Sequence, residues 1–137
     1  MTPDELAALH AKCFEMPRPW KAAEFSALLE LKGVFLKHSN GGFILGREIS
    51  GESELLTLAV DPDKQRQGWG RRLLADFEAE SKIRGATQAF LEVAENNLAA
   101  RPLYEAAGYS ESGRRPAYYN SPDGTKYAAI LLRKPLI

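Results

Sequence analysis

The chain has 137 residues, 45% of them hydrophobic and 26% charged, enough apolar material for one domain with its own core. Its 18 lysines and arginines balance 18 aspartates and glutamates, so the formal net charge is zero. Proteins that bind nucleic acid through bulk charge are usually basic, and no direct nucleic-acid partner is expected here.

Thr2-Pro3-Asp4-Glu5 reads as a helix start, with a hydroxyl cap, proline at the first helical position and a glutamate that closes a capping box. Leu6, Leu9 and Cys13 then fall on one face, Cys13 as a small core residue. Met16 to Trp20 (M-P-R-P-W) breaks this helix, and a second follows with Phe25, Leu28 and Leu29 inward. Val34 to Lys37 reads as a strand, Asn40-Gly41-Gly42 as a turn and Phe43 to Ile49 as the next strand. Ser50-Gly51-Glu52 leads into a third strand, Glu54 to Val60, apolar enough to be central. The three form an antiparallel meander. A helix spans Gly70 to Arg84, with Leu73, Leu74 and Phe77 inward and Gly85 as its C-terminal cap. Ala89 to Val93 is a short buried strand. The helix from Leu98 to Ala107 stops at Gly108, and Pro102 fits it only if the first regular turn begins late. Tyr109 to Gly113 and Tyr127 to Leu132 are closing strands around the loop R-R-P-A-Y-Y-N-S-P-D-G. The order α-α-β-β-β-α-β-α-β-β predicts a mixed, mostly antiparallel α/β sheet with helices on both faces, one domain over residues 1–137.

No apolar run is long enough to cross a bilayer, and the N-terminus lacks a basic-then-apolar leader. Cys13 is the only cysteine, so no internal disulfide forms, as in a reducing compartment. A cytoplasmic protein without a membrane partner is expected. No His/Cys/Asp cluster suggests a metal. His10 and His38 are isolated and read as surface or structural residues, and Arg114-Arg115 as a solvated pair.

The stretch L-A-V-D-P-D-K-Q-R-Q-G-W-G-R-R, Leu58 to Arg72, carries the most chemistry. A strand runs into a loop with two closely spaced glycines, and a helix starts at once. Such a layout aims backbone N–H groups and the positive end of a helix dipole at one rim, where a diphosphate binds. Arg71-Arg72 stands beside it. A dinucleotide fold needs a third glycine where Leu73 stands, and the P-loop pattern is absent.

The full spacing, Gln65-x-x-Gly68-x-Gly70 preceded by V-D-P and followed by R-R-L-L, resembles the acetyl-CoA signature of the GNAT N-acetyltransferases. The element order is similar too. Pro19-Trp20, Leu58 to Pro62, L-E-V-x-x-x-N from Leu91 to Asn97, L-Y-E-x-x-G-Y from Leu103 to Tyr109 and Arg114 to Tyr119 most resemble the branch that acetylates the N-terminal alanine of a ribosomal protein. The resemblance implies the GNAT fold and acetyl-CoA as co-substrate. By position it implies that main-chain groups of Leu58, Ala59 and Val60 pair with the pantetheine arm. The amides of Arg66, Gln67, Gly68, Trp69, Gly70 and Arg71 then cradle the pyrophosphate, and Asn97 contacts the cofactor. The glycines keep side chains away from the diphosphate.

Acetyl transfer needs a deprotonated amine, donors for an oxyanion and a proton for the leaving thiolate. Glu92 interrupts the apolar run A-F-L-E-V, and a carboxylate there is costly unless paired or functional. It is the candidate base. Tyr104, on the following helix, occupies a place where a tyrosine in this family is often the acid or positions the thiol. Trp20, Tyr118 and Tyr119 are candidates for the acceptor groove. One departure stands out: Lys126-Tyr127-Ala128 occupies a place where that branch often carries acidic residues. Expected partners are acetyl-CoA and a peptide or protein N-terminus, with the enzyme a monomer or weak homodimer. A family member acting on a small amine or a lysine side chain, and a non-catalytic acyl-CoA-binding module, stay open as alternatives.

Overall fold

The computed structural model describes residues 1–14 and 18–137, so the expected break at Met16–Trp20 lies partly outside the described residues. Helix α1 (Pro3–Cys13) begins with the expected capping box. The Thr2 hydroxyl accepts from the Glu5 amide at 3.2 Å, and Glu5 accepts from the Thr2 amide at 2.9 Å. Such a cap is typically worth about 1 kcal/mol. Leu6 and His10 are fully buried, one turn apart, whereas Leu9 and Cys13 are half-buried. The face that meets the sheet is therefore centred on His10. Helix α2 (Ala22–Leu29) buries Phe25.

Strands β1 (Val34–Ser39), β2 (Gly42–Ile49) and β3 (Glu52–Val60) form the antiparallel meander. The β2–β3 register shifts where Leu45 lies opposite Thr57 and Gly46 opposite Leu55, so Leu56 is an extra residue in β3. One extra residue reverses the side-chain alternation. Ser53 and Leu55 face helix α3 (Trp69–Ile83), while Thr57 and Ala59 face α1 and α2. Gly46 makes room for the Phe35 and Phe77 rings, stacked at 5.8 Å, since a Cβ there would come within 2.6 Å of Phe77.

After α3, strand β4 (Gln88–Ala94) runs parallel to β3. Helix α4 (Ala100–Ala106) is shorter than expected from the sequence. Its late start puts Pro102 at the third helical position, where no intrahelical N–H bond is lost. Strand β5 (Ser110–Asn120) extends well past Gly113, into the segment expected to be a loop, and β6 (Lys126–Pro135) is likewise longer. The turn residues are absorbed by a register break between Arg115 and Tyr119, where Ala117 has φ 52°.

All six strands join one sheet in the order β1-β2-β3-β4-β6-β5. Phe77, Leu73, Leu91 and Ile130 fill the core on the α3 and α4 side, and Leu6, Phe25, Phe43 and Leu45 the core under α1 and α2. No helix among the described residues is long and apolar enough to cross a membrane.

Candidate active site

The two parallel strands at the centre of the sheet pair only at their starts. Glu52, Ser53 and Glu54 of β3 meet Gln88, Ala89 and Phe90 of β4, and beyond that the strands part. From Leu55 onward β3 pairs only with β2, and from Leu91 onward β4 pairs only with β6. The gap opens a cleft of about 1300 Å³ that runs from the glycine loop to the β5–β6 hairpin.

Alternation decides which β3 groups face this gap. The Asp61 amide donates to Gly41 O at 2.8 Å, which marks a hydrogen-bonded pair with the β2 side. Two residues back, Ala59 is then bonded to Phe43, and the main-chain groups of Leu58 and Val60 turn toward the cleft. Of the three β3 candidates, Ala59 thus faces away. The Val60 carbonyl accepts from Cys13 Sγ at 3.2 Å. Burial first, then Asp61, raises the Cys13 thiol above its usual pKa and keeps it a donor.

The loop beyond β3 turns through one 3₁₀ turn, Pro62–Lys64, and then takes left-handed conformations at Arg66 (φ 66°) and Gly68 (φ 83°). The first bond of α3 is Arg72 N–H to Gly68 O at 3.1 Å. Among the described residues, no amide from Arg66 to Arg71 donates to a backbone carbonyl, and Gly68 has no side-chain cap. Six donors therefore stand free at a helix N-terminus. Gly68 has a left-handed φ of 83° that favours glycine, and a Cβ at Gly70 would lie 3.2 Å from Leu103 Cδ2, a tight contact that the leucine side chain would have to yield to. Neither glycine acts only by clearing space for a ligand. The Trp69 ring packs on Gly41, its indole N–H donates to Gln67 Oε1 at 3.3 Å, and Arg72 stacks over it. Asn97 lines the far wall. Its Oδ1 accepts from Ala100 N–H at 3.1 Å, so it caps α4.

Glu92 and Tyr104 both line the cleft. Glu92 lies on the opposite face of β4 from the buried Leu91 and Val93, and its Oε1 is 3.1 Å from Arg115 on β5. Tyr104 is buried to 6% exposure. Its hydroxyl makes no hydrogen bond among the described residues, yet no fully buried side-chain oxygen there lacks a partner. The hydroxyl therefore opens onto the cleft. Burial raises its pKa above the ordinary tyrosine range, so it stays protonated.

Three groups at this end were not foreseen as site residues. Glu54 lines the cleft on the same side of the sheet as Glu92, and burial, followed by the Glu92 charge, raises its pKa. Arg115, read as a solvated residue, reaches back to Glu92, while its neighbour Arg114 pairs with Glu95 at 3.2 Å. His10 is a buried hub. It accepts from Trp20 N–H at Nδ1, which leaves the ring proton on Nε2 to donate to Thr57 Oγ1, both at 3.0 Å. Burial lowers its pKa to about 4. His38 is exposed. Trp20, Tyr118 and Tyr119 all border the cleft, and burial first and Glu92 second raise the Tyr119 pKa. Lys126 and Tyr127 open β6, and the Ala128 amide donates to Glu95 Oε1 at 2.9 Å. No metal-holding cluster exists among the described residues.

Residues 4–109 match the Acetyltransferase (GNAT) family. The chain belongs to the GNAT acetyltransferases. This GNAT chain is 34% identical over 134 residues to the ribosomal protein bS18-alanine N-acetyltransferase of Escherichia coli K12, covering 95% of this chain and 90% of the relative. The crystal structure of the ribosomal-protein-S18-alanine N-acetyltransferase from Escherichia coli superposes with a TM-score of 0.83 at 32% identity, covering 99% of this chain and 90% of that one. Arabidopsis thaliana NAA60, crystallised with acetyl-CoA, shares the fold at a TM-score of 0.79 and 15% identity, over 98% of this chain and 93% of that one. The GNAT chain is an acetyl-CoA-dependent N-acetyltransferase. Unlike Glu92, Glu54 carries no such sequence signal, because it follows Glu52 and Ser53 at the polar start of its strand.

Proposed function

We propose that residues 1–137 form one acetyltransferase domain that acts on the α-amine of a protein N-terminus, with the N-terminal alanine of a ribosomal protein as acceptor. One observation carries the reading. The parting of β3 from β4 puts free strand edges, free amides, a carboxylate and a buried phenol along a single cleft. The bS18-alanine N-acetyltransferase of Escherichia coli, similar to this chain over most of its length, supports the choice of acceptor.

An elongated thioester fits this lining. Main-chain groups of Leu58 and Val60 would pair with its amide-bearing arm as an added strand does, with Ala59 between them. The amides of Arg66, Gln67, Gly68, Trp69, Gly70 and Arg71 would receive its diphosphate. Asn97, whose Oδ1 caps α4, would offer its Nδ2. At the other end, an α-amine with a pKa of roughly 7.7–8.0 loses its proton at neutral pH by a small uphill step. Glu92 takes that proton, directly or through water. The neutral nitrogen attacks the thioester carbonyl, and Tyr104 donates to the departing sulfur. Trp20, Tyr118 and Tyr119 border the space for the acceptor peptide. The reaction takes place in the cytoplasm and needs no membrane or nucleic acid.

Thiol release from acetyl-CoA tests the reading, with three peptides compared: a ribosomal N-terminus starting with alanine, the same peptide starting with serine, and an N-terminally blocked peptide carrying lysine. The alanine peptide is expected to turn over fastest. Preference for the blocked lysine peptide would replace the acceptor assigned here.

A further inference from the structure

Arg115 touches the candidate base, yet the mechanism above gives it no task. It leaves β5 on the face of the sheet that carries Glu92, because Arg115 pairs with Ala129 of β6 and Ala129 pairs with Ala94 of β4, two residues beyond Glu92. Ala129 presents only a methyl group, so the long arginine stem can cross β6 there. Arg115 Nη2 then lies 3.1 Å from Glu92 Oε1, and its Cζ stands over the Tyr118 ring, 5.4 Å from the centroid. Glu92 and Tyr118 both line the cleft, so the cation between them stands at its acceptor end. The other arginines of this region are engaged elsewhere. Arg114, on the opposite face of β5, uses one arm on Glu95 at 3.2 Å and the other on Glu111 at 3.4 Å. Arg47 donates to Lys32 O, and Arg133 to Glu52 and Gln88. The contacts of Arg115 among the described residues are Glu92 and Tyr118, which leaves N–H donors of its planar fork open. Open guanidinium donors beside a substrate path suit an oxygen acceptor.

We propose that Arg115 is a specificity-determining residue: it donates to the first carbonyl oxygen of the acceptor and so favours an α-amine over a lysine side chain. In an α-amine the nitrogen and its own carbonyl oxygen are held about 3 Å apart by the N–Cα–C link. That span matches the 3.1 Å between Glu92 and Arg115. A nitrogen set against Glu92 therefore carries its carbonyl to the open arms of Arg115. A lysine ammonium meets Glu92 equally well, but its methylene stem keeps every carbonyl out of that reach, and the donors of Arg115 gain nothing from it. The Tyr118 ring beneath the guanidinium holds it in place for this contact. Arg115 stays charged throughout and moves no proton. The proposal rests on the reading that the acceptor is an N-terminal α-amine.

Wild type and Arg115→Gln are compared on three peptides: the alanine peptide above, the same peptide with sulfur in place of its first carbonyl oxygen, and the blocked lysine peptide. Sulfur is the weaker hydrogen-bond acceptor and leaves the amine where it was. In wild type, kcat/KM is expected to fall at least about fivefold on the sulfur peptide, and in Arg115→Gln by less than about twofold. The preference for alanine over lysine peptide falls about tenfold or more in the variant, with the loss on the alanine peptide mainly in KM. Any effect that the substitution exerts through Glu92 slows the oxygen and sulfur peptides alike and cancels in their ratio. Arg114→Gln, which removes an ion pair from the other face, keeps the wild-type ratio, and coenzyme A affinity stays at the wild-type value in both variants. An equal oxygen-to-sulfur ratio in wild type and Arg115→Gln, or the same shift in Arg114→Gln, overturns the proposal and leaves the α-amine acceptor standing. A wild-type preference for the blocked lysine peptide overturns that acceptor, and this proposal with it.

Discussion

Glu92 and Tyr104 reach the cleft in different ways, and substitution separates their roles. Glu92 is partly exposed and ion-paired with Arg115, while Tyr104 is buried except for its hydroxyl. Glu92→Gln keeps the volume and removes the ability to take a proton. Tyr104→Phe removes only the hydroxyl. Each is expected to lower kcat by about 10²-fold or more, while the coenzyme A dissociation constant measured by calorimetry stays unchanged. Wild-type turnover in either variant removes that residue from proton transfer. Glu92 was legible because it breaks an apolar run. Glu54 stands at the polar start of its strand, directly after Glu52 and Ser53, so it breaks no apolar run and carries no such signal. Arg115 looked solvated because its partner lies on another strand.

At the scale of the element, β3 carries two features that a hydropathy pattern cannot show. Its extra residue, Leu56, reverses the facing of everything after it, so that Thr57 meets His10 and Leu58 meets the α3 side. Its second edge is unpaired beyond Glu54. Amide exchange reads that edge directly. Without ligand, the Leu58 and Val60 amides are expected to exchange faster than that of Ala59, which is bonded to β2. Saturating coenzyme A should slow Leu58 and Val60 and leave Ala59 as it was. Equal protection of all three would place the ligand somewhere other than this edge. The hairpin of β5 and β6 shows the opposite limit. Its turn-forming residues predicted a loop, yet pairing with β6 carries β5 through them by way of one break at Arg115 to Tyr119.

Across the whole molecule, His10 ties α1, the connection at Trp20 and β3 together. It stacks on Phe14 at 4.2 Å and on Trp20 at 5.1 Å, and it is 1% exposed. Burial lowers its pKa from 6.5 to about 4, against a weaker pull from Glu24. The unfolded chain therefore binds more protons between those values. Stability from this group is complete above pH 6.5 and is lost as the pH falls toward about 4. The loss is on the order of 3 kcal/mol. Urea midpoints followed over that window should fall more steeply for wild type than for His10→Gln, which does not titrate there. Parallel curves would mean that the ring is not buried as a neutral base.

Local chemistry determined much of this protein. The capping box at Thr2, the meander through Asn40-Gly41-Gly42, the glycine loop after Val60 and the family all follow from residues adjacent in the chain, where turn geometry, periodicity and free amides depend on a few neighbours. Tertiary structure decided the rest, because those features depend on residues far apart in sequence. Pairing across strands chose where β3 leaves β4, which edge of Leu58 and Val60 is open, and how far β5 extends. Burial and Coulomb energy at the meeting of strands made partners of Glu92 and Arg115, and no spacing along the chain encodes that.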